Sequence, residues 1–319
     1  MTIDRFNNAR PLRVLVFTSP KAGSGAGREQ VPRLQRLLEG LGVECIVNHT
    51  IDDLRRRSQA SETHDHVIVA AGGDGTMSLA ASAVFPAALT GSDKPLMGSL
   101  PSSPIAPDIP IVPMPLGTEN LLARQFGHTA SAESIVTTIR HGTSYRLDAA
   151  AANDRIFLIM ATCGFDAEVV RAMHLTRRGH IRRLSYLRPV LRAMCKYKFP
   201  KINIRIDDGE PLECCWAMVF NLPRYAAGLK IEPDAVGNDG QLDVIAFKRG
   251  SILSGLKYVA GIGLGRHLNF DDVVRRRGSK IEITSNLRVP FQLDGDYAGH
   301  LPLSITTIPG TVHLLLPPG

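Results

Sequence analysis

Long apolar runs are missing from this 319-residue chain. No window holds 18 consecutive apolar residues, so a membrane-spanning helix is not expected. The stretch from Met1 to Arg13 lacks the apolar core of a secretory signal. Five cysteines are present, but none form a Cys-x-x-Cys pair and none stand near histidines at zinc spacing. Reduced, mostly buried thiols in a cytoplasmic protein are the default reading. Aromatic residues make up only 6% of the chain and no recognised nucleic-acid motif appears, so nucleic-acid binding is disfavoured. A G-x-x-x-x-G-K-[S/T] stretch is also absent, which rules out a P-loop.

What is present is a net charge of +7 on an otherwise ordinary globular composition. That charge suits an anionic partner such as a nucleotide or a membrane surface, although solubility alone also accounts for it. The length favours two domains. Up to about residue 142, strand and helix signals alternate. Strands are expected at Leu12 to Thr18, Gly42 to Val47, His66 to Ala71 and Ile109 to Met114. Helices are expected at Arg28 to Leu38, Thr76 to Val84, Glu119 to Phe126 and Ala132 to His141. This alternation predicts an open, doubly wound, mostly parallel sheet over 1–142. The Pro-, Ser- and Gly-rich stretch from Pro86 to Pro110 reads as a flap or insertion. From 143 to 319 short β-rich runs dominate, with Asn153-Asp154 as a hairpin turn, and predict an antiparallel sandwich. The last strand is allowed to return to the first domain.

Three glycine-rich turns follow strands. Gly72-Gly73-Asp74-Gly75-Thr76-Met77-Ser78 comes after a buried strand and opens a helix. Glycines let the backbone approach a ligand closely, and a helix N-terminus offers unpaired N–H groups to phosphate. Asp74 reads as orienting a metal or hydroxyl beside that phosphate, and Thr76 as the helix cap. The plain alternative is a turn that needs glycine for geometry alone. Pro115-Leu116-Gly117-Thr118 ends the fourth strand in the same way, with Thr118 as the expected cap. Ligands in open α/β sheets bind beyond the strands' carboxyl ends, so the two loops should face one crevice. Ser19 to Gly27 forms the third turn. A Rossmann site needs a carboxylate after strand two, but Val47-Asn48-His49-Thr50 has none.

Together these loops resemble the catalytic domain of bacterial diacylglycerol kinases, which is similar to sphingosine and ceramide kinases. Later segments extend the resemblance: Gly164-Phe165-Asp166-Ala167, Asn221, Tyr225, Gly228, Pro233-Asp234-Ala235, Asp239 to Val244, and Asp294-Gly295-Asp296. The resemblance implies ATP-dependent phosphorylation of a lipid hydroxyl, on diacylglycerol or a related lipid, in phospholipid metabolism. It implies nucleotide binding by Thr50, Gly72, Gly73, Asp74, Gly75, Thr76, Met77, Ser78 and Thr118. It implies a structural Mg2+ at Val236, Asp239 and Gln241, partly through backbone carbonyls, and Asp296 as proton acceptor. Asp294-Gly295 is equally a common hairpin pair. The chain departs from the family at Ser19 (usually Asn), Leu79 (often Glu), Leu121 (usually Asp), Ala226-Ala227 and Asp296 (Glu).

The basic, amphipathic run Arg177 to Lys198 is expected to approach anionic lipid, with Arg275-Arg276-Arg277 added to the same patch, although a solvated face over a packed core accounts for the pattern equally well. These features place the protein in the cytoplasm, peripheral at the inner membrane surface, with homodimerisation left open. Two other readings compete. An NAD kinase shares the Gly-Gly-Asp-Gly-Thr loop, but this chain has no Asn-Glu dipeptide. A nucleotide-binding protein without turnover is the other, motivated by the missing carboxylates.

Overall fold

The computed structural model describes residues 4–7, 10–18, 27–59, 65–85, 108–176 and 197–319. The Ser19 turn, most of the Pro86 to Pro110 flap and most of the basic run from Arg177 lie outside them. The chain divides into two compact units, 1–147 with 310–319 and 148–309.

The first unit is built on parallel strands β1 (Leu12–Thr18), β2 (Glu44–Asn48), β3 (Asp65–Gly72) and β4 (Ile111–Pro115), in the order β2-β1-β3-β4. Strands β1 and β3 read as Val-rich apolar runs because both of their faces are covered. Helices α1 (Gly27–Gly40), α2 (Ile51–Gln59), α3 (Asp74–Val84), α4 (Leu121–Gln125) and α5 (Ala132–His141) accompany the sheet. Leu34 and Leu38 of α1 and Ile135 and Ile139 of α5 are wholly buried in one cluster with Val14, Val69 and Val112. Each such side chain contributes about 1.5–3 kcal/mol of burial.

Helix α2 was not expected. Only Leu54 and Ser58 of this helix are buried, which leaves almost no apolar period to detect. Its start was nonetheless legible in Thr50-Ile51-Asp52-Asp53. The Thr50 hydroxyl accepts the Asp53 N–H at 3.1 Å and donates to the Asp53 carboxylate at 2.6 Å, much as in a capping box.

The second unit holds two antiparallel sheets. One combines β8 (Ile202–Ile206), β9 (Leu212–Cys214), β13 (Lys280–Thr284) and the first part of β16 (Leu303–Leu316). The other runs β12 (Val273–Gly278), β11 (Leu242–Phe247), β10 (Trp216–Phe220), β7 (Met160–Cys163), β14 (Pro290–Leu293), β15 (Asp296–His300). Side chains from both sheets meet in one core that includes Ile204, Ile283, Ala161, Val219 and Phe291. The hairpin at Asn153 is present: β5 (Thr143–Ala152) pairs with β6 (Arg155–Phe157), and Asn153 is left-handed with φ 55°.

Two helices in this unit were not foreseen, α6 (Phe165–Thr176) and α7 (Ile252–Gly263). The three arginines Arg275, Arg276 and Arg277 lie on β12, so the first and third share a face. Arg275 pairs with buried Glu232 and with Asp234, and Arg277 pairs with Asp239 and Asp243. Two of the three are therefore committed to ion pairs rather than to a membrane patch.

His128 follows α4, and its ring is buried with neither nitrogen hydrogen-bonded within the protein. Burial pulls its pKa down to about 4. Between pH 6.5 and 4 the unfolded chain takes up a proton that the folded chain refuses, so stability falls as pH drops through that window. Urea unfolding at pH 7 and pH 5 should show a loss of roughly 2 kcal/mol that disappears in His128→Gln.

Candidate functional site

Strands β3 and β4 are parallel neighbours, with Gly72 in register with Pro115. Their carboxyl-end loops therefore emerge side by side. Leu116 N–H continues the ladder to Gly72 C=O at 2.9 Å. Beyond it the loops touch through glycine backbone. A Cβ on Gly117 would lie 2.5 Å from the Gly73 Cα, and one on Gly72 would lie 2.1 Å from the Thr76 Oγ1. Gly117 is thus required for the two loops to pack against each other, and Gly72 for the seat of the Thr76 side chain within its own loop.

Asp74 has a role that differs from the one expected. Its half-buried carboxylate accepts N–H bonds from Leu121 at 2.9 Å and Leu122 at 3.0 Å. Burial raises its pKa, and the two amide donors oppose that. Asp74 thus caps α4 from another loop and latches the two turns together. Asn120, left-handed with φ 51°, closes the second turn on itself: its Oδ1 accepts from Gly117 N–H and its Nδ2 donates to Gly117 C=O, both at 2.9 Å. Thr118 is exposed and does not cap α4. Nor does Thr76 cap α3, which begins at Asp74 after Gly73.

Of the predicted nucleotide residues, Gly73, Asp74, Gly75, Thr76 and Ser78 are half-buried in the first turns of α3. The first N–H groups of a helix have no partners inside it, so the turn from Asp74 to Thr76 presents donors. The side chain of Met77 is buried, 3% exposed, and packs inward. Thr50 caps α2, where its hydroxyl is already engaged.

In the second unit, Asp294 and Gly295 form the β14–β15 turn with φ 49° and 90°. Asp296 opens β15 and is exposed. Asp294 is buried, and its carboxylate collects the N–H groups of Leu158, Ile159 and Met160 at 2.8–3.0 Å. That capture ends β6 and starts β7.

A buried side-chain relay leads away from the same turn. Gly295 N–H donates to Gln292, Gln292 to Thr162, and Thr162 to Asp166. The Trp216 indole and the Tyr225 hydroxyl also donate to Asp166. Burial raises the Asp166 pKa and these donors lower it.

The loop carrying Val236, Asp239 and Gln241 is pinned by buried Asp148. The Asp148 N–H donates to Gly237 C=O, and its carboxylate accepts from Gly240 N–H, both at 2.7 Å. One Asp239 oxygen accepts the Gln241 N–H at 3.0 Å, and the other faces Arg277. Among the described residues, no three His, Cys, Asp or Glu side chains gather as a metal cluster.

Two family models match the chain. The diacylglycerol kinase catalytic domain covers residues 13–152, and the YegS C-terminal NAD kinase beta sandwich-like domain covers residues 160–316. The chain is similar to the diacylglycerol kinase of Bacillus subtilis strain 168, at 21% identity over 96% of each chain. It is also similar to the diacylglycerol kinase of Mycobacterium tuberculosis, at 25% identity over 96% of this chain and 95% of that one. A crystal structure of a diacylglycerol kinase from Bacillus anthracis Sterne shares the fold, with a TM-score of 0.66 at 19% identity over 98% and 99% of the two chains.

Truncating either organising carboxylate strands backbone donors. Asp74→Ala should cost about 2–4 kcal/mol and Asp294→Ala about 3–5 kcal/mol in urea unfolding, with Asp294→Asn losing less because it keeps one acceptor oxygen.

Proposed function

This chain belongs to the diacylglycerol kinase family of lipid kinases, and from that premise we propose that it transfers the γ-phosphoryl group of ATP to the hydroxyl of diacylglycerol or a related lipid. The observation that carries this reading is the latched pair of glycine loops, with the donor-rich first turn of α3 beside them. A triphosphate needs backbone donors held rigidly at the carboxyl ends of parallel strands. Gly72, Gly73, Gly75, Thr76 and Ser78 supply that surface, with Thr118 and Thr50 bordering the nucleotide. Asp74 acts here by holding the loops in place, and Met77 by filling the core beneath them.

Phosphoryl transfer is mostly positioning and charge neutralisation. The lipid oxygen forms a bond to the γ-phosphorus, the bond to the β,γ-bridging oxygen breaks, and ADP leaves. Asp296 accepts the hydroxyl proton. Among the described residues no ion pair engages its exposed carboxylate at the head of β15. The relay from Gly295 to Asp166 stiffens the turn that carries it.

The loop at Val236, Asp239 and Gln241 fits a hard divalent cation in chemistry, since its donors are all oxygens and Asp148 holds it bent. The Asp239 carboxylate, which now faces Arg277, together with oxygens of Val236 and Gln241, would hold Mg2+ there, and the ion would supply a structural cross-link. We place the enzyme at the cytoplasmic face of the membrane as a peripheral protein that reaches its substrate from solution. Among the described residues, no helix is long and apolar enough to cross a bilayer.

The second reading, an NAD kinase, draws on the sandwich model matched over 160–316. Incubation with labelled ATP and either a total lipid extract or NAD separates the two. Label is expected in the lipid fraction, and label only in NADP would replace the proposal. Nucleotide binding with no labelled product would instead support the binding-only reading. Asp296→Asn should bind ATP normally and turn over roughly 10²–10⁴-fold more slowly. Unchanged turnover would remove Asp296 as the acceptor.

A further inference from the structure

The loop that carries Val236, Asp239 and Gln241 is clamped by arginine side chains from strand β12. Residues two apart on a strand point the same way, so Arg275 and Arg277 share a face. Arg275 holds the start of the loop: its Nε donates to buried Glu232 at 2.9 Å, and its guanidinium pairs with Asp234 at 2.8 Å. Arg277 holds the end. It donates to one Asp239 oxygen, and its Nε stands 3.0 Å from the carboxylate of Asp243, its register partner on β11. Four carboxylates thus face two guanidiniums, and the two negative charges left over are those that one divalent cation balances.

The two ends of the Arg277 bridge differ. The Asp243 side chain is 6% exposed, whereas that of Asp239 is 31% exposed. A buried carboxylate that loses its guanidinium is left as an uncompensated charge, which is strongly destabilising. An ion pair that water reaches is weak. Asp239 also keeps the Gln241 N–H on its other oxygen, at 3.0 Å, when the guanidinium leaves. Arg277 can therefore release Asp239 while it stays on Asp243. Asp148 holds Gly237 and Gly240 in either case, so the loop keeps its bend.

We infer that Arg277 is an internal competitor for the cation site: its guanidinium occupies Asp239 while metal is absent, and must give up that carboxylate before an ion can take it. This rests on the cation reading of Val236, Asp239 and Gln241 given above. It adds that affinity is set by a residue outside the ligand set, and that the loop stays closed without the ion. An ion that must displace a guanidinium binds more weakly than one that meets a free carboxylate. Occupancy of the loop then follows the free Mg2+ concentration.

Arg276 supplies the control. It lies between the two clamping residues, belongs to the opposite face of the strand, and donates to the Arg275 C=O at 2.9 Å. Isothermal titration calorimetry of the full chain, stripped with EDTA and titrated with Mg2+, tests the inference. Arg277→Gln should bind Mg2+ at least about 5-fold more tightly than the wild type. Arg276→Gln removes the same charge nearby and should bind within about twofold of the wild type. In EDTA, Arg277→Gln should melt below the wild type, and a fixed Mg2+ concentration should raise its Tm by more. Should the stranded Asp243 prevent folding, Arg277→Gln with Asp243→Asn removes that charge and carries the same expectation. Mg2+ binding by Arg277→Gln alone supports the competition in its strongest form. Equal or weaker binding by Arg277→Gln, or an equal gain in Arg276→Gln, overturns the competition and leaves the cation site standing. Silence from all of the proteins overturns both.

Discussion

A carboxylate withdrawn partly or wholly from water that gathers backbone N–H groups is the constraint on which both units depend. Removing a carboxylate from water is costly unless its oxygens find donors, and a backbone amide without an acceptor is costly in the same way. Asp74 and Asp294 answer both needs at once. Asp74 takes two amides from α4 and binds one glycine loop to another. Asp294 takes three from 158–160 and fixes where β7 begins. Asp148 repeats the device at the loop 237–240. Each carboxylate converts a flexible turn into a rigid one, and each of those turns bears or adjoins residues of the proposed site.

This shifts how the family motifs are understood. Gly-Gly-Asp-Gly-Thr reads at first as a ligand-binding string in which every residue faces the nucleotide. In the fold, Gly73 faces Gly117, Asp74 faces α4, Met77 faces the core, and the backbone of the following helical turn is left as the donor surface. Asp166 and Tyr225 stand 59 residues apart yet share one hydrogen bond. That bond belongs to the chain of contacts ending at the turn before Asp296. Such residues immobilise the turn that precedes Asp296.

The departures from the family pattern also find physical settings. Leu79 is half exposed on α3. Leu121 contributes its backbone N–H to Asp74, a function independent of its side chain. Asp296, a methylene shorter than Glu, stands at the first position of β15, immediately after a turn held by Gln292 and Asp294.

By itself, the sequence determined the alternation of β and α in the first half, the β-rich second half and the positions of the glycine turns. Those features are local: hydrophobic period, turn chemistry and glycine follow from neighbours along the chain. It also holds the start of α2 in Thr50 to Asp53, although the helix has almost no apolar stripe because only Leu54 and Ser58 are buried. The tertiary structure alone decided what the carboxylates bind. Partners of Asp74 lie 47 and 48 residues away and those of Asp294 lie 134–136 residues away, with no periodic trace between them. It likewise decided that Arg275 and Arg277 face carboxylates and that α7 turns its leucines outward. Which face of an element is covered depends on what packs against it, and that is settled only when the whole chain has folded.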